Sequence, residues 1–553
     1  MFSNPLAVWA NYDMKNLKSD FFAGLSTAIL ATPQNMAYAL IAGVNPIYGL
    51  YSSIVGMISS TFFGESRYMV VAPCNMIVLA IYSSLNSLAI VNDSNYLQAV
   101  FLLTFLVGVV QIILASLKLG NLVSYISQSV IVGLTSAVAI IIGLGQLSNL
   151  LGLNIENGSN IFETIYYIMT NISEANFYAL ALGIITMGLI IIVKRSKIKL
   201  PAYAVAIVTA AIIVYLFDLS GELAVVEGVS ATLPSFNLIE LDFELFTALL
   251  NSALSIAILS FIQVLSILKF MEKKSGEEVE INREFFNQGI INIICSFFSS
   301  FVVTASFTKS FANYSAGAKT RISEFVGGLL IISFILIFSS FISYIPISAL
   351  AGLVIVVAYS MIDLTEIKKS CTITKFDAII FSTTFFVTLL APRIDYAIYL
   401  GIIISFLLVL KDNSKVDYCH IDYNEQKEEF IKQEVKKNTN NGYVIINISG
   451  ELHFNTAKDL REKFEYSFKK EKNFIIRLYG VEDIDLTTIK AINEFIDRVL
   501  NNKGDIYLTS MTDDLYLAFK EAKTIEKIGD DHVFWLKKNI FSATEEAVKE
   551  VKS

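Results

Sequence analysis

From about Phe21 to Leu410 one apolar run follows another with only short polar breaks, and this limits the fold more than any other feature of the chain. Backbone surrounded by lipid has no water to satisfy its N–H and C=O groups, so an apolar chain of this kind crosses a bilayer as helices. From Lys411 onward Lys, Glu and Asp crowd in and the apolar residues fall into short alternating stretches. Two parts are therefore expected. An all-α polytopic membrane domain covers 21–410, after a cytoplasmic segment 1–20 that lacks the long apolar core of a signal peptide; a small α/β domain covers 442–553, with 411–441 as linker and first strand. The 54% hydrophobic content and mean hydropathy of +0.59 suit a polytopic membrane protein better than a soluble one. The net charge of -8 averages over two unlike parts and gives no reason to expect nucleic acid as a partner.

Candidate spans are 21–43, 46–63, 71–90, 97–117, 122–147, 176–193, 201–217, 244–271, 287–303, 306–316, 322–345, 346–362, 376–392 and 395–410. Crossing a core of about 30 Å takes about 20 helical residues, so 306–316 is too short to cross alone and 287–316 reads as two pieces. Lys and Arg collect in cytoplasmic loops. With the amino terminus inside, alternate loops carry Arg67; Lys118; Lys194, Arg195, Lys197 and Lys199; Lys273, Lys274 and Arg283; Lys319 and Arg321; Lys368, Lys369 and Lys375; and Lys411. The intervening stretches hold Glu156, Glu163 and Glu174, then Asp218, Glu222, Glu227, Glu240 and Asp242; only Arg393 breaks the alternation. An even number of spans follows, with both termini cytoplasmic and the protein in the plasma (inner) membrane. His420, His453 and His532 fall outside the membrane part, and Cys74, Cys295, Cys371 and Cys419 show no metal-ligand spacing. No metal, cofactor or catalytic constellation is expected, and hence no enzyme.

Within this apolar body Lys309 is out of place. If Lys319 and Arg321 mark the inner loop after 306–316, Lys309 lies at the other end of that segment, inside the membrane, where an ionisable residue is costly and usually functional. The plain alternative is a lysine in a polar loop between helices. The chain also echoes itself: Ser26-x-Ala28-Ile29-Leu30-x-x-x-Gln34 recurs as Ser255-x-Ala257-Ile258-Leu259-x-x-x-Gln263, one copy opening each half, as inverted repeats require. Two spans after each copy comes an interrupted segment. In one, Pro73 begins a helix at Cys74, Asn75 and Met76; in the other, Ser306 or Thr308 caps a helix with Phe307 beside it and Lys309 in its first turn. Helix starts expose unpaired N–H groups and partial positive charge, so two of them facing each other would bind an anion, and Lys309 would deepen the site.

The motifs PQNMAYA, AGVNPIYGLY and FGESR of the first three spans, together with SFTKS and NYSAGAKT around Lys309, resemble the prestin-related SulP sulfate permease family. The tail from NGYVIINISGEL to NFIIRLYGVEDIDLTTIKAINEF is similar to the STAS domain that such transporters carry. The resemblance covers nearly the whole chain. It implies fourteen spans as a 7+7 inverted repeat, forming core and gate domains. It also implies a homodimer in the bilayer and a small anion held between the third and tenth spans by Gln34, Tyr38, Cys74, Asn75, Met76, Ser306, Thr308 and Lys309. The chain departs from the family pattern where Lys309 replaces the usual Arg, Cys74 a frequent aromatic, Gln263 a carboxylate of many members, and Gln34 a Glu of some proton-coupled bacterial members. A neutral amide neither titrates nor balances a sodium ion, so coupling to H⁺ or Na⁺ is not expected to rest on them, and no carboxylate is expected mid-membrane.

The resemblance implies a secondary transporter or exchanger of sulfate first, then bicarbonate, chloride or dicarboxylate. Two rivals are a nucleobase permease of the same architecture, which would need carboxylates where Gln263 and Lys309 stand, and a membrane sensor signalling through its STAS domain, which would not need both helix starts. In the tail the pattern from Gly442 reads strand, strand, helix, strand, helix, strand, helix. Antagonist STAS proteins phosphorylate a hydroxyl before the second helix, where this chain offers Thr487; an ordinary capping role for Thr487 is the simpler expectation. A cytoplasmic protein would be the partner of this domain.

Overall fold

The computed structural model describes residues 7–10, 12–86, 88, 95–118, 127–153, 161–196, 201–226, 232–239, 242–391, 394–412, 416–424, 429–433, 442–468 and 473–552. Lys197, Lys199, Glu156, Glu227, Glu240 and Arg393 lie outside them, as does most of 411–441 apart from two strands. The chain divides into two compact units, Met1–Ser405 and Phe406–Ser553.

Every expected span falls on a helix. In chain order these are α1 (Leu17–Ile41), α2 (Pro46–Phe63), α3 (Asn75–Asn86), α4 (Tyr96–Ser116), α5 (Gln128–Gly145), α6 (Phe177–Arg195) and α7 (Ala202–Leu216) in the first half. The second half holds α8 (Phe243–Ser275), α9 (Ile281–Phe297), α10 (Phe307–Ser315), α11 (Ile322–Ile342), α12 (Ile347–Met361), α13 (Lys375–Leu390) and α14 (Ile394–Asp412). Short helices at Ile161–Asn171 and Leu364–Thr372 occupy stretches expected to be loops. Among the described residues only six helical segments are long and apolar enough to cross a bilayer on length and composition alone. Some of the others fall short in length, as α3, α7 and α10 do, and some because they carry polar groups inward, as α1 does with Asp20, Thr27, Gln34 and Asn35.

Packing sorts the helices into two groups. α1 to α4 pack with α8 to α11, while α5, α6 and α7 pack with α12 and α13, and the groups meet chiefly where α7 and α12 lie on α1. Lipid tails are as apolar as leucine, so helices in a bilayer gain from close approach, which small residues allow. The tightest pairing, α4 on α9, shows it. A Cβ on Gly108 would sit 2.7 Å from the Gly289 carbonyl oxygen, and a Cβ on Gly289 equally 2.7 Å from that of Gly108.

The second unit is a six-stranded sheet of order β4-β3-β5-β6-β7-β8, formed by β3 (Asp417–Asn424), β4 (Glu429–Gln433), β5 (Tyr443–Ser449), β6 (Asn473–Arg477), β7 (Ile506–Met511) and β8 (Val533–Trp535). β3 runs antiparallel to β4 and β5, and β5 to β8 are parallel. One face packs on α15 (Ala457–Phe468) and α16 (Leu486–Asn501) through Leu460, Phe464, Ile492, Phe495 and Ile496; the other is covered through Ala547 and Val548 of α18 (Ser542–Lys552), with α17 (Asp513–Glu521) after β7. Where a second strand is expected before the first helix, the structure makes only the single bridge Leu452↔Ile484, and it adds β8 and α18 at the end. Nor does Thr487 cap α16. Asp485 does, its side chain accepting the Thr488 N–H at 2.8 Å, because the cap must precede the helix and Thr487 already lies within it, exposed.

Candidate anion-binding site

The two interrupted segments meet. β1 (Val71–Ala72) pairs antiparallel with β2 (Thr304–Ala305), Val71 opposite Ala305 and Ala72 opposite Thr304. Each strand runs directly into a half-helix, β1 into α3 and β2 into α10, so two helix starts face one another across a ladder two residues long. Extended backbone inside a membrane protein survives only where its polar groups are satisfied. Here a buried set of side chains does this: Asn292 Oδ1 accepts the Val303 N–H at 2.9 Å, Gln288 donates to the Val303 carbonyl at 3.1 Å, and Ser52 accepts the Phe301 N–H at 2.9 Å. Asn292 in turn donates to Gln111, Gln111 to Ser260, and Ser260 shares a hydrogen bond with Thr304. Sequence reasoning passes over these residues because single amides and hydroxyls scattered along four segments share no spacing.

Lys309 is the third residue of α10 and wholly buried. Its Nζ donates to the Pro73 carbonyl at 2.9 Å and to Ser306 Oγ at 3.4 Å, and lies 5.1 Å from the centre of the Tyr38 ring. Lys309 thus bridges from one helix start to the other. Ser306 holds the N-cap position without a side-chain cap bond. Phe307 and Thr308 are not brought to this contact: their side chains are exposed, Phe307 against Phe270, since successive helical residues turn by about 100° and Lys309 takes the inward direction. Only their backbone remains at the helix start.

Gln34 and Tyr38 are buried on α1. Gln263, on α8, donates through Nε2 to Cys74 Sγ at 2.7 Å; Cys74 donates to Asn75 Oδ1 at 3.1 Å; and Asn75 donates to the Met361 sulfur at the end of α12 at 2.8 Å. The Met76 N–H also ends on Asn75 Oδ1, at 2.9 Å. Met361, unforeseen from the sequence, joins this core-side cluster to the other helix group.

The expectation of no carboxylate mid-membrane did not cover the end of an expected span, where a carboxylate, Glu324, also turns inward. It is almost fully buried, accepts the Val71 N–H at 3.3 Å and the Ser60 hydroxyl at 3.4 Å, and so supports β1 from behind. Its place as the third residue of α11, just after Arg321, reads as a loop end in sequence; in the fold it meets Ser60 of α2 and Val71 of β1. Among the described residues no salt bridge reaches Lys309. A buried cation at a helix start, beside a second helix start, lacks the carboxylate such a charge normally requires.

Residues 17–384 match the sulfate permease family, and residues 434–547 match the STAS domain. The chain belongs to the sulfate permease family. It is 27% identical over 549 residues to sulfate transporter 4.1, chloroplastic, of Arabidopsis thaliana, covering 95% of this chain and 79% of that protein. It is 30% identical over 442 residues to the sodium-independent sulfate anion transporter of Bos taurus, covering 73% and 72%. The fold matches that of the murine SLC26A9 anion transporter in its inward-facing state, with a TM-score of 0.87 at 21% identity over 99% of this chain and 93% of that one. It also matches the transmembrane domain of the cyanobacterial bicarbonate transporter BicA, with a TM-score of 0.63 at 23% identity over 71% and 98%. This family member is therefore an integral, multi-pass membrane protein, an SLC26-like helical domain followed by a STAS domain, and a fourteen-span 7+7 arrangement is consistent with its helices.

Proposed function

We propose that the protein is a secondary transporter or exchanger of small inorganic anions, working by alternating access with the anion between the starts of α3 and α10. The observation that carries this is Lys309: a buried ammonium bridging two helix starts, with no carboxylate to neutralise it among the described residues. An anion supplies the missing charge, and the exposed N–H groups of helix starts suit oxyanions. We put sulfate first, a choice the relatives' names support, with bicarbonate, chloride and dicarboxylates next. The split into two helix groups meeting at α1, α7 and α12 supports movement of one group against the other, with Asn75 and Met361 in contact across that boundary in this conformation. We place both termini in the cytoplasm, the membrane part over 21–410 and the STAS domain over 442–553, in a plasma-membrane homodimer whose STAS domain meets a cytoplasmic protein. Thr487, exposed on α16, is the phosphorylation candidate there.

The test is uptake by the purified protein in liposomes, offering sulfate, bicarbonate, chloride and dicarboxylates with and without a pH gradient. Saturable uptake of at least one anion is expected; no flux of any of them, from protein shown to be folded, would sink the proposal.

A further inference from the structure

We propose that Gln263 presents a hydrogen-bond acceptor, not a donor, to the bound anion, and that Cys74 sets this polarity, so that among monoanions of like size the site favours one carrying an O–H group. The inference rests on the anion-site reading and refines its substrate class.

The orientation follows from a backbone group rather than from a choice between two amide faces. The Met76 N–H is a fixed donor, so the atom of Asn75 that receives it at 2.9 Å must be the oxygen. That leaves the Asn75 nitrogen to donate to Met361, as the 2.8 Å contact shows. The Cys74 thiol also faces Asn75 Oδ1, at 3.1 Å, and can only donate to it. With its hydrogen spent there, the Cys74 sulfur is left with lone pairs, and the Gln263 group 2.7 Å away must be the NH₂. Gln263 Oε1 is thereby turned elsewhere. It is buried and finds no donor among the described residues, and the same holds for Oε1 of Gln34 on α1, one turn before Tyr38.

A buried carbonyl oxygen without a donor loses its water and gains nothing in return, unless a ligand brings a hydrogen. Cys74, which holds the Gln263 amide, directly follows Pro73, whose carbonyl holds Lys309, so the amide and the ammonium are both tied to the same two residues at the start of α3. The combination fits an anion that is negative at one end and carries O–H at another, of which hydrogen carbonate is the simplest. A sulfate dianion has no such hydrogen; its affinity comes from Lys309 and the helix starts, and Gln263 adds nothing to it.

Bicarbonate and nitrate make a controlled pair: both are flat monoanions of similar size, and only bicarbonate has an O–H. Nitrate is the more weakly hydrated, so a site ruled by desolvation alone would prefer it. The experiment measures equilibrium binding of each anion to the purified full-length protein, at a pH where bicarbonate is the main carbonate species. The parent should hold bicarbonate about tenfold more tightly, the discrimination expected when a buried acceptor is matched. Cys74→Ser keeps the relay, since a hydroxyl donates to Asn75 and accepts from Gln263, and should keep the ratio. Cys74→Ala frees the amide to turn its NH₂ inward, and Gln263→Met removes the acceptor at similar length; both should bring the ratio towards one. A parent ratio at or below one overturns the inference, as does a ratio unchanged in both Cys74→Ala and Gln263→Met. If neither anion binds the folded parent, the anion-site reading itself falls and takes this inference with it.

Discussion

Lys309 and Arg461 each hold a positive charge on a helix of the same chain, yet their surroundings differ in every respect. Lys309 is fully buried, held by a carbonyl, a hydroxyl and a ring face. Arg461, on α15, meets Glu494 of α16 through two hydrogen bonds of 2.7 and 3.1 Å at the protein surface, where 42% of its side chain and 61% of its partner's are exposed. The first charge is incomplete and dry; the second is complete and wet. Water makes up most of what a surface pair would lose on separation, whereas nothing does so for a buried ion, so function collects around the buried kind of charge.

The sharpest way to break this comparison is to reverse the buried charge. Lys309→Glu places an anion at a helix start and should abolish measurable anion binding by folded protein. Lys309→Ala should weaken it by about tenfold to a hundredfold, the value of about 1–3 kcal/mol for a charged hydrogen bond. Lys309→Arg should retain binding, since a guanidinium keeps the charge and can grip two oxygens. Binding isotherms on the purified variants decide it: unchanged affinity in both Lys309→Ala and Lys309→Glu would remove the lysine from the site.

The next effect tests packing rather than charge. Gly289→Ala puts a Cβ 2.7 Å from a backbone oxygen of α4, which neither helix can yield without separating. Overpacking of this kind costs about 1–3 kcal/mol, and the thermal unfolding of the detergent-solubilised membrane unit should fall accordingly. An unchanged transition would mean that the contact of α4 and α9 is looser than the geometry indicates. In the STAS unit Asp485→Ala removes the cap of α16 and should cost about 1 kcal/mol in the unfolding of that unit, whereas Thr487→Ala, exposed and capping nothing, should change it by much less. Equal losses in the two variants would return the capping role to Thr487.

These contrasts also explain what could be read in advance. Helix positions in the membrane part follow from apolar runs, because lipid imposes the same demand on every span. The facing starts of α3 and α10 were legible because Pro73 and the Ser306–Lys309 segment interrupt those runs in matching places of the two halves. What could not be read are contacts that depend on how interrupted backbone folds back. Glu324 supports β1, and Asn292, Gln111 and Ser260 hold β2, from places far apart in the chain, with no periodicity to betray them. Phe307 and Thr308 share the motif of Lys309 but not its direction, which only the helix phase settles. In the tail only one strand was read within 411–441, where the structure has β3 and β4; β4 and β8 were hidden because they are short and lie at the sheet's edges.

The smallest expected effect closes the comparison from the wet side. The Arg461 guanidinium holds the Glu494 carboxyl below its ordinary value, chiefly through the hydrogen bonds between them. A carboxyl with a depressed value in the folded state contributes stability above its unfolded value, and that contribution is lost as pH falls through the folded one. The pair is largely exposed and screened, so its contribution at neutral pH is of the order of a few tenths of a kcal/mol. Arg461→Ala should therefore lower the stability of the STAS unit by that much at neutral pH, by less in high salt, and by nothing once Glu494 is protonated in both forms. Thermal unfolding of parent and variant across pH and salt measures the difference. A loss above about 1 kcal/mol, or one that persists in acid, would show Arg461 working through packing of its stem between α15 and α16, and exposure would then be a poor guide to what a charge in this chain is worth.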